Sequence, residues 1–173
     1  MKKRVQFYEE QRFRQIWIWI IILGSIGVWI YSMTVQVFMD HDFGNKMGSN
    51  LLLILLGLLP VLLIYLFFSV KLITQADKEG VHYRFAPWQR KFRVIRPEDI
   101  QEYKIRKYRP LIEYGGWGVR QGSRKYGNAY NVSGNIGMQF ILKNGKKILV
   151  GTQKADSFLR AVDKMMEKSN LQD

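Results

Sequence analysis

The densest set of residues able to do chemistry lies between residues 114 and 131. Tyr114, Trp117, Tyr126 and Tyr130 are interleaved there with Arg120, Arg124, Lys125 and Asn131, and Gly115, Gly116, Gly118, Gly122 and Gly127 break up the run. Aromatic rings and arginines are the side chains enriched where proteins bind partners. The segment has no GxxxxGKS or GxxxxGKT pattern and does not lead from a strand into a helix, so a phosphate-cradling loop is not expected. The glycines also admit a geometric reading, because they permit bulges, tight bends and close strand approach in a small β domain. The binding candidates are Tyr114, Trp117, Arg120, Tyr130 and Asn131, with a peptide or a membrane protein as partner. The rival reading is an enzyme that acts on a lipid or its headgroup at this segment.

A second group is basic. Lys104, Arg106, Lys107 and Arg109 cluster with Tyr103 and Tyr108 between them. Basic and aromatic side chains together also describe single-strand nucleic-acid binders. A domain tethered beside an anionic leaflet explains the same charge, since each nearby cation gains roughly 1 kcal/mol there. The expected partner is therefore the bilayer and its anionic headgroups, not nucleic acid.

Other chemistry lacks material. The chain has no cysteine, which removes disulfides, thiolate zinc sites and thiol nucleophiles. Its two histidines, His41 and His82, stand far apart. The adjacent carboxylates Glu9 and Glu10, and Glu98 and Asp99, make no acid/base pair, because neighbours on a strand point to opposite faces. No catalytic residue, metal or cofactor is expected.

Two uncharged apolar stretches, residues 15–39 and 47–70, dominate the first part of the chain. About 20 helical residues span the ~30 Å hydrocarbon core, so each is long enough. The reading is a membrane hairpin with spans at 15–39 and 50–71 and a short outer loop at 40–49. Residues 1–14 carry a net charge of +3, the loop −1, and residues 71–173 +11. Lys and Arg are retained on the cytoplasmic side, so an inner-membrane protein with both termini in the cytoplasm is expected. The first stretch is longer than a signal peptide's apolar region and is read as a retained helix. Residues 1–14 lack Gly and Pro and read as a cytoplasmic extension of the first helix. Gly24, Ser25, Gly27 and Gly57 fit packing of the hairpin on itself, and Pro60 should kink the second helix. Neither span contains an ionisable group of the kind transporters usually carry, which leaves an accessory transporter subunit as a lesser alternative.

Residues 72–173 read as the soluble domain. Val81, Tyr83 and Phe85 alternate with His82 and Arg84, and Tyr103 and Ile105 with Lys104 and Arg106, as in half-buried strands. Residues 91–96 read as another strand with Phe92 and Val94 on one face. Asn144-Gly145 between two apolar runs predicts a hairpin with a two-residue type I′ turn. Ala155, Phe158, Leu159, Val162, Met165 and Met166 form one stripe at 3.6 spacing, with Thr152 as a cap. The expected fold is an α-helical membrane hairpin plus a β domain of about seven antiparallel strands with a C-terminal α-helix.

Leu72-Ile73-Thr74, Glu79-Gly80-Val81-His82-Tyr83-Arg84-Phe85, Glu113-Tyr114-Gly115-Gly116-Trp117-Gly118-Val119-Arg120, Ala129-Tyr130-Asn131-Val132-Ser133-Gly134 and Leu149-Val150-Gly151-Thr152-Gln153 behind such a hairpin resemble bacterial two-helix membrane proteins with a pleckstrin-homology-like (PH-like) domain. The resemblance covers nearly the whole chain. It implies a membrane-anchored PH-like barrel fold and brings no catalytic or lipid-site residues; the expected role, read from the residues, is a non-enzymatic binding or scaffolding module at the cytoplasmic face of the membrane.

Overall fold

The computed structural model describes residues 5–13, 15–38 and 46–170. The chain divides into two units: Arg14–Ser69, and Met1–Phe13 together with Val70–Asp173.

The first unit is the hairpin of α1 (Ile16–Phe38) and α2 (Lys46–Ser69). The windows Ile16–Val35 and Leu51–Ser69 are each long and apolar enough to cross a membrane. Few of their side chains are buried, and α2 turns Leu51, Leu52, Ile54, Leu55, Leu58 and Leu62 outward. A core helix of a soluble protein would hide such residues; hydrocarbon accepts them. The indole Nε1 of Trp29 donates to the Leu53 carbonyl at 3.1 Å. A Cβ on Gly57 would lie 2.7 Å from that nitrogen, so Gly57 makes room for the ring, as expected for a hairpin packed on itself. Gly24 and Gly27 face open space and are not used this way. Trp17 meets Phe67 and Trp19 meets Phe68 edge-on, at 6.2 and 6.4 Å between centroids. The helix runs unbroken through Pro60. The predicted outer loop at 40–49 falls mostly outside the described residues.

The second unit has nine strands among the described residues. Four form one sheet in the order β1 (Phe7–Arg12), β2 (Lys71–Ala76), β3 (Val81–Ala86), β4 (Arg93–Ile95). A single 3-10 turn at Pro97–Asp99 leads to the other five: β5 (Ile100–Lys107), β6 (Gly118–Gln121), β7 (Asn128–Asn131), β8 (Ile136–Leu142) and β9 (Lys147–Gly151), ordered β5-β8-β9-β7-β6. A short helix α3 (Pro110–Tyr114) follows β5, and α4 (Ala155–Asn170) ends the unit.

Three expectations are corrected. Residues 7–12 are a strand, not an extension of the first helix: β1 pairs antiparallel with β2 in the register Phe7↔Ala76 to Arg12↔Lys71. The β-rich unit therefore starts before the hairpin, and residues 72–173 are only part of it. Second, neither sheet closes into a barrel, and β7 runs parallel to β9, so the strands are mostly but not all antiparallel. Third, the Asn144-Gly145 turn is a three-residue loop, not a two-residue one. Leu142 N–H reaches Lys146 O, Gly145 N–H reaches Leu142 O, and Gly145 takes φ 79°. That is the second-commonest hairpin connection, and it places the glycine where a left-handed residue is needed.

The inner faces share one core. Leu72, Val81, Tyr83 and Phe85 come from the first sheet and Tyr130, Met138, Phe140 and Val150 from the second. The α4 stripe adds Phe158, Val162 and Met165, all essentially buried, and Phe158 stacks on Phe7 at 4.7 Å. Leu159 and Met166 are only partly buried beside it. On β4 the core residue is Ile95, while Phe92 and Val94 are exposed.

Candidate functional site

The binding candidates at 114–131 divide into buried supports and an exposed rim. Tyr114 closes α3, and past it the Gly115 and Gly116 N–H groups reach back to the Leu111 and Pro110 carbonyls, with Gly115 at φ 69°. Its ring is buried, and its hydroxyl takes a hydrogen bond from Arg106 Nη2 at 2.8 Å and donates to the Tyr126 carbonyl at 3.2 Å. Tyr130 on β7 is buried against Tyr83 at 4.6 Å and accepts from Arg93 Nη1 at 2.6 Å. Asn131 is fully buried, and its Oδ1 accepts the Gly118 N–H at 2.9 Å, which fixes the start of β6. None of these three side chains is placed to meet a partner directly.

Trp117 and Arg120 are different. Trp117 is half-buried, with its indole N–H on the Gly134 carbonyl at 3.0 Å. Arg120 is exposed, its Nε donates to the Trp117 carbonyl at 3.0 Å, and it forms no ion pair among the described residues. Trp117 immediately precedes β6, the outer strand of its sheet, and Arg120 lies on it; Val119, Arg120 and Gln121 are all exposed. The geometric reading of the glycines holds alongside: at Gly127 (φ 73°) a Cβ would collide with the Lys147 backbone. Gly127 precedes β7, and Lys147 opens the parallel partner β9, so the close approach seats one strand beside the other.

The basic group also divides. Arg106 turns inward: Nη1 meets Glu113 Oε2 at 2.7 Å, Nε donates to Gln139 Oε1 at 3.0 Å, and Nη2 to Tyr114. Glu113 in turn caps α3 through the Arg109 N–H at 2.8 Å. Lys104 is exposed and paired with Glu102 at 2.7 Å, and Lys107 and Arg109 are exposed. The surface cations of this group are thus Lys104, Lys107 and Arg109, and Arg106 belongs to the fold.

Burial pushes several tyrosines above their ordinary range. Tyr108 is raised to about 12 by burial. Tyr103 is raised to about 12 by burial and by donating to Asp163 Oδ1 at 2.8 Å. These groups stay neutral near pH 7 and offer no general base. Among the described residues no three His, Asp or Glu side chains gather where they could hold a metal ion.

Sequence reasoning missed two features. One is the inward-facing polar pair of β1, Glu9 and Gln11. The other is the loop between β3 and β4, where Trp88 is 63% exposed. The available signal for the loop was its charge: residues 81–96 hold Arg84, Arg90, Lys91, Arg93 and Arg96 and no acid. Compared with family models, with curated proteins and with solved structures, the chain shows no significant match.

Proposed function

We propose that the chain is a membrane-anchored, non-enzymatic binding or scaffolding module, with a PH-like unit held at the cytoplasmic face by the hairpin. The observation that carries this reading is the exposed outer strand β6, which follows Trp117 and carries Arg120. An outer strand offers unpaired backbone groups to an extended segment, and neighbouring side chains select it. The occupant is an extended stretch of a membrane-protein partner, met by the Trp117 ring and the exposed Arg120 guanidinium. The two sheets capped by a C-terminal helix support the PH-like assignment. The +3 and +11 flanks support the cytoplasmic side. Pairing of Arg12 with Lys71 supports a hairpin whose two ends emerge on one side of the membrane, since α1 begins at Ile16 and α2 ends at Ser69.

Two measurements test it. In this cysteine-free chain, Ser169→Cys should resist an impermeant thiol reagent in intact cells and Ser49→Cys should react. The reverse pattern refutes the orientation. A photocrosslinking residue at Val119 or Arg120 should give discrete adducts in native membranes that the same residue at Asn144 does not. Equal adducts at both places would remove β6 as the contact.

A further inference from the structure

The loop between β3 and β4 carries an exposed aromatic and cationic tip that the binding reading does not use. Trp88 stacks on Phe85 at 5.8 Å between centroids, with the rings 26° apart, yet remains 63% exposed. Phe92 is also exposed, and the Arg84 guanidinium lies over its ring at 4.9 Å. Arg90 and Lys91 are exposed and form no ion pair among the described residues. The loop is internally held, not loose: Gln89 N–H reaches the Phe85 carbonyl at 2.9 Å, and Arg84 Nη1 donates to the Arg90 carbonyl at 3.2 Å. A structured loop that presents a tryptophan beside unpaired cations has paid no attention to hiding apolar surface, so something apolar and anionic suits it.

Register fixes where this tip stands along the chain. Ala86, the last residue of β3, is the cross-strand partner of Lys71, and Lys71 is two residues beyond Ser69, the end of α2. Two residues of chain span at most about 7.6 Å, and antiparallel partners lie about 5 Å apart. Ala86 is therefore within about 13 Å of the end of a helix long and apolar enough to cross a membrane. The headgroup zone is about 5–7 Å deep on each side, and surface charge acts over about 8–10 Å in physiological salt. A tryptophan two residues past Ala86 is within reach of that zone.

We propose that the Pro87–Phe92 loop is a lipid-interface anchor: Trp88 and Phe92 enter the headgroup region of the bilayer that the hairpin spans, and Arg90 and Lys91 contact anionic phospholipid headgroups. Tryptophan favours that layer because its ring is apolar while its N–H finds polar partners. The cations gain from the negative surface potential. The anchor pins β3 to the membrane. The proposal rests on the membrane-hairpin reading.

The test uses the full chain reconstituted in nanodiscs of phosphatidylcholine with phosphatidylglycerol. The emission of Trp88 is isolated as the difference between the native chain and Trp88→Phe, which keeps a ring on Phe85. That difference should be shifted to shorter wavelength, quenched by lipids brominated high on the acyl chain, and shielded from acrylamide. Quenching should weaken in pure phosphatidylcholine and in the Arg90→Gln/Lys91→Gln double variant. A Trp88 signal that stays red, acrylamide-accessible and insensitive to bromine overturns the anchor. Equal quenching in neutral discs overturns the headgroup contact. Shielding that appears only when membrane proteins are added assigns the loop to a protein partner and overturns the proposal. Failure of the chain to enter nanodiscs at all sinks the hairpin reading and the anchor with it.

Discussion

Glu9 on β1 and Thr152 just ahead of α4 share a 2.6 Å hydrogen bond across 143 residues of chain. The other carboxylate oxygen accepts the Gln153 N–H at 2.8 Å, and the Thr152 hydroxyl oxygen takes the Lys154 N–H at 3.0 Å. A carboxylate only 4% exposed is tolerated because both oxygens are bonded. The strand before the hairpin is thereby fastened to the start of the last helix.

Glu9→Ala should lower stability by about 1–3 kcal/mol, because it strands the buried Thr152 hydroxyl and removes the acceptor of the Gln153 N–H. Glu9→Gln should cost less, since one acceptor oxygen remains. Glu102→Ala, on an exposed pair, should stay within roughly 0.5 kcal/mol. Urea unfolding of the detergent-solubilised chain measures all three. A silent Glu9→Ala would mean that the latch does not hold β1.

This latch also shows which parts of the fold could be read from sequence. The two long apolar helices, the position of the Asn144-Gly145 turn and the Phe158, Val162 and Met165 stripe are local patterns, and each is legible. β1 is not, because two of its three inward residues, Glu9 and Gln11, are polar, and the alternation with Tyr8, Glu10 and Arg12 is masked. Their partners, Thr152, Gln153 and the Gly151 carbonyl, lie at the far end of the chain. The parallel pairing of β7 with β9 is hidden for the same reason, since it needs β8 and β9 in place. At 114–131 the residue types pointed to contact surface, but burial placed Tyr114, Tyr130 and Asn131 inside and left Trp117 and Arg120 at the rim.

Because Arg12 and Lys71 are neighbours in the register, the hairpin can be replaced by a short Gly/Ser linker from Phe13 to Val70. That chain should fold as a soluble unit, whereas residues 70–173 alone should be clearly less stable or fail to fold. Loss of β1 strips Phe7 from Phe158 and leaves Gly151 O without the Gln11 amide. In the linked chain, Phe158→Ala should cost about 3–5 kcal/mol, a large share of the ~5–15 kcal/mol that holds a domain together. Thermal melts decide. Equal melting of 70–173 with and without β1 would remove the strand from the folding unit.

Alkaline pH should destabilise the soluble unit. Tyr103 and Tyr108 are raised to about 12 in the fold, and burial also raises Tyr83 and Tyr114. A raised folded value favours the neutral phenol. The contribution is therefore intact below the unfolded value of about 10 and is lost as pH climbs through about 12. Tyrosinate absorbance should show a class of tyrosines that ionises only as the fold is lost, well above pH 10. Tyr103→Phe should flatten the loss of stability across that window. Titration of all tyrosines together near pH 10, with the fold intact, contradicts this account.

Arg106 and Lys107 are adjacent, and their roles separate sharply. Arg106 holds Glu113, Gln139 and the Tyr114 hydroxyl, with its side chain 23% exposed and that of Glu113 11%. Removing it leaves the carboxylate and two polar groups without their donor, so Arg106→Ala should cost at least about 1–3 kcal/mol. Because Glu113 also caps α3 through Arg109 N–H, the loss should loosen the approach to Trp117 and β6. Arg106→Lys should restore only part of it, since a single ammonium cannot reproduce three directed N–H bonds. Lys107→Ala and Arg109→Ala should stay within roughly 0.5 kcal/mol, and should instead weaken salt-sensitive association of the linked soluble unit with anionic vesicles. If Arg106→Ala melts like Lys107→Ala, or if all three variants reduce vesicle binding equally without loss of stability, Arg106 is a surface cation after all and the division between inward and outward charge fails.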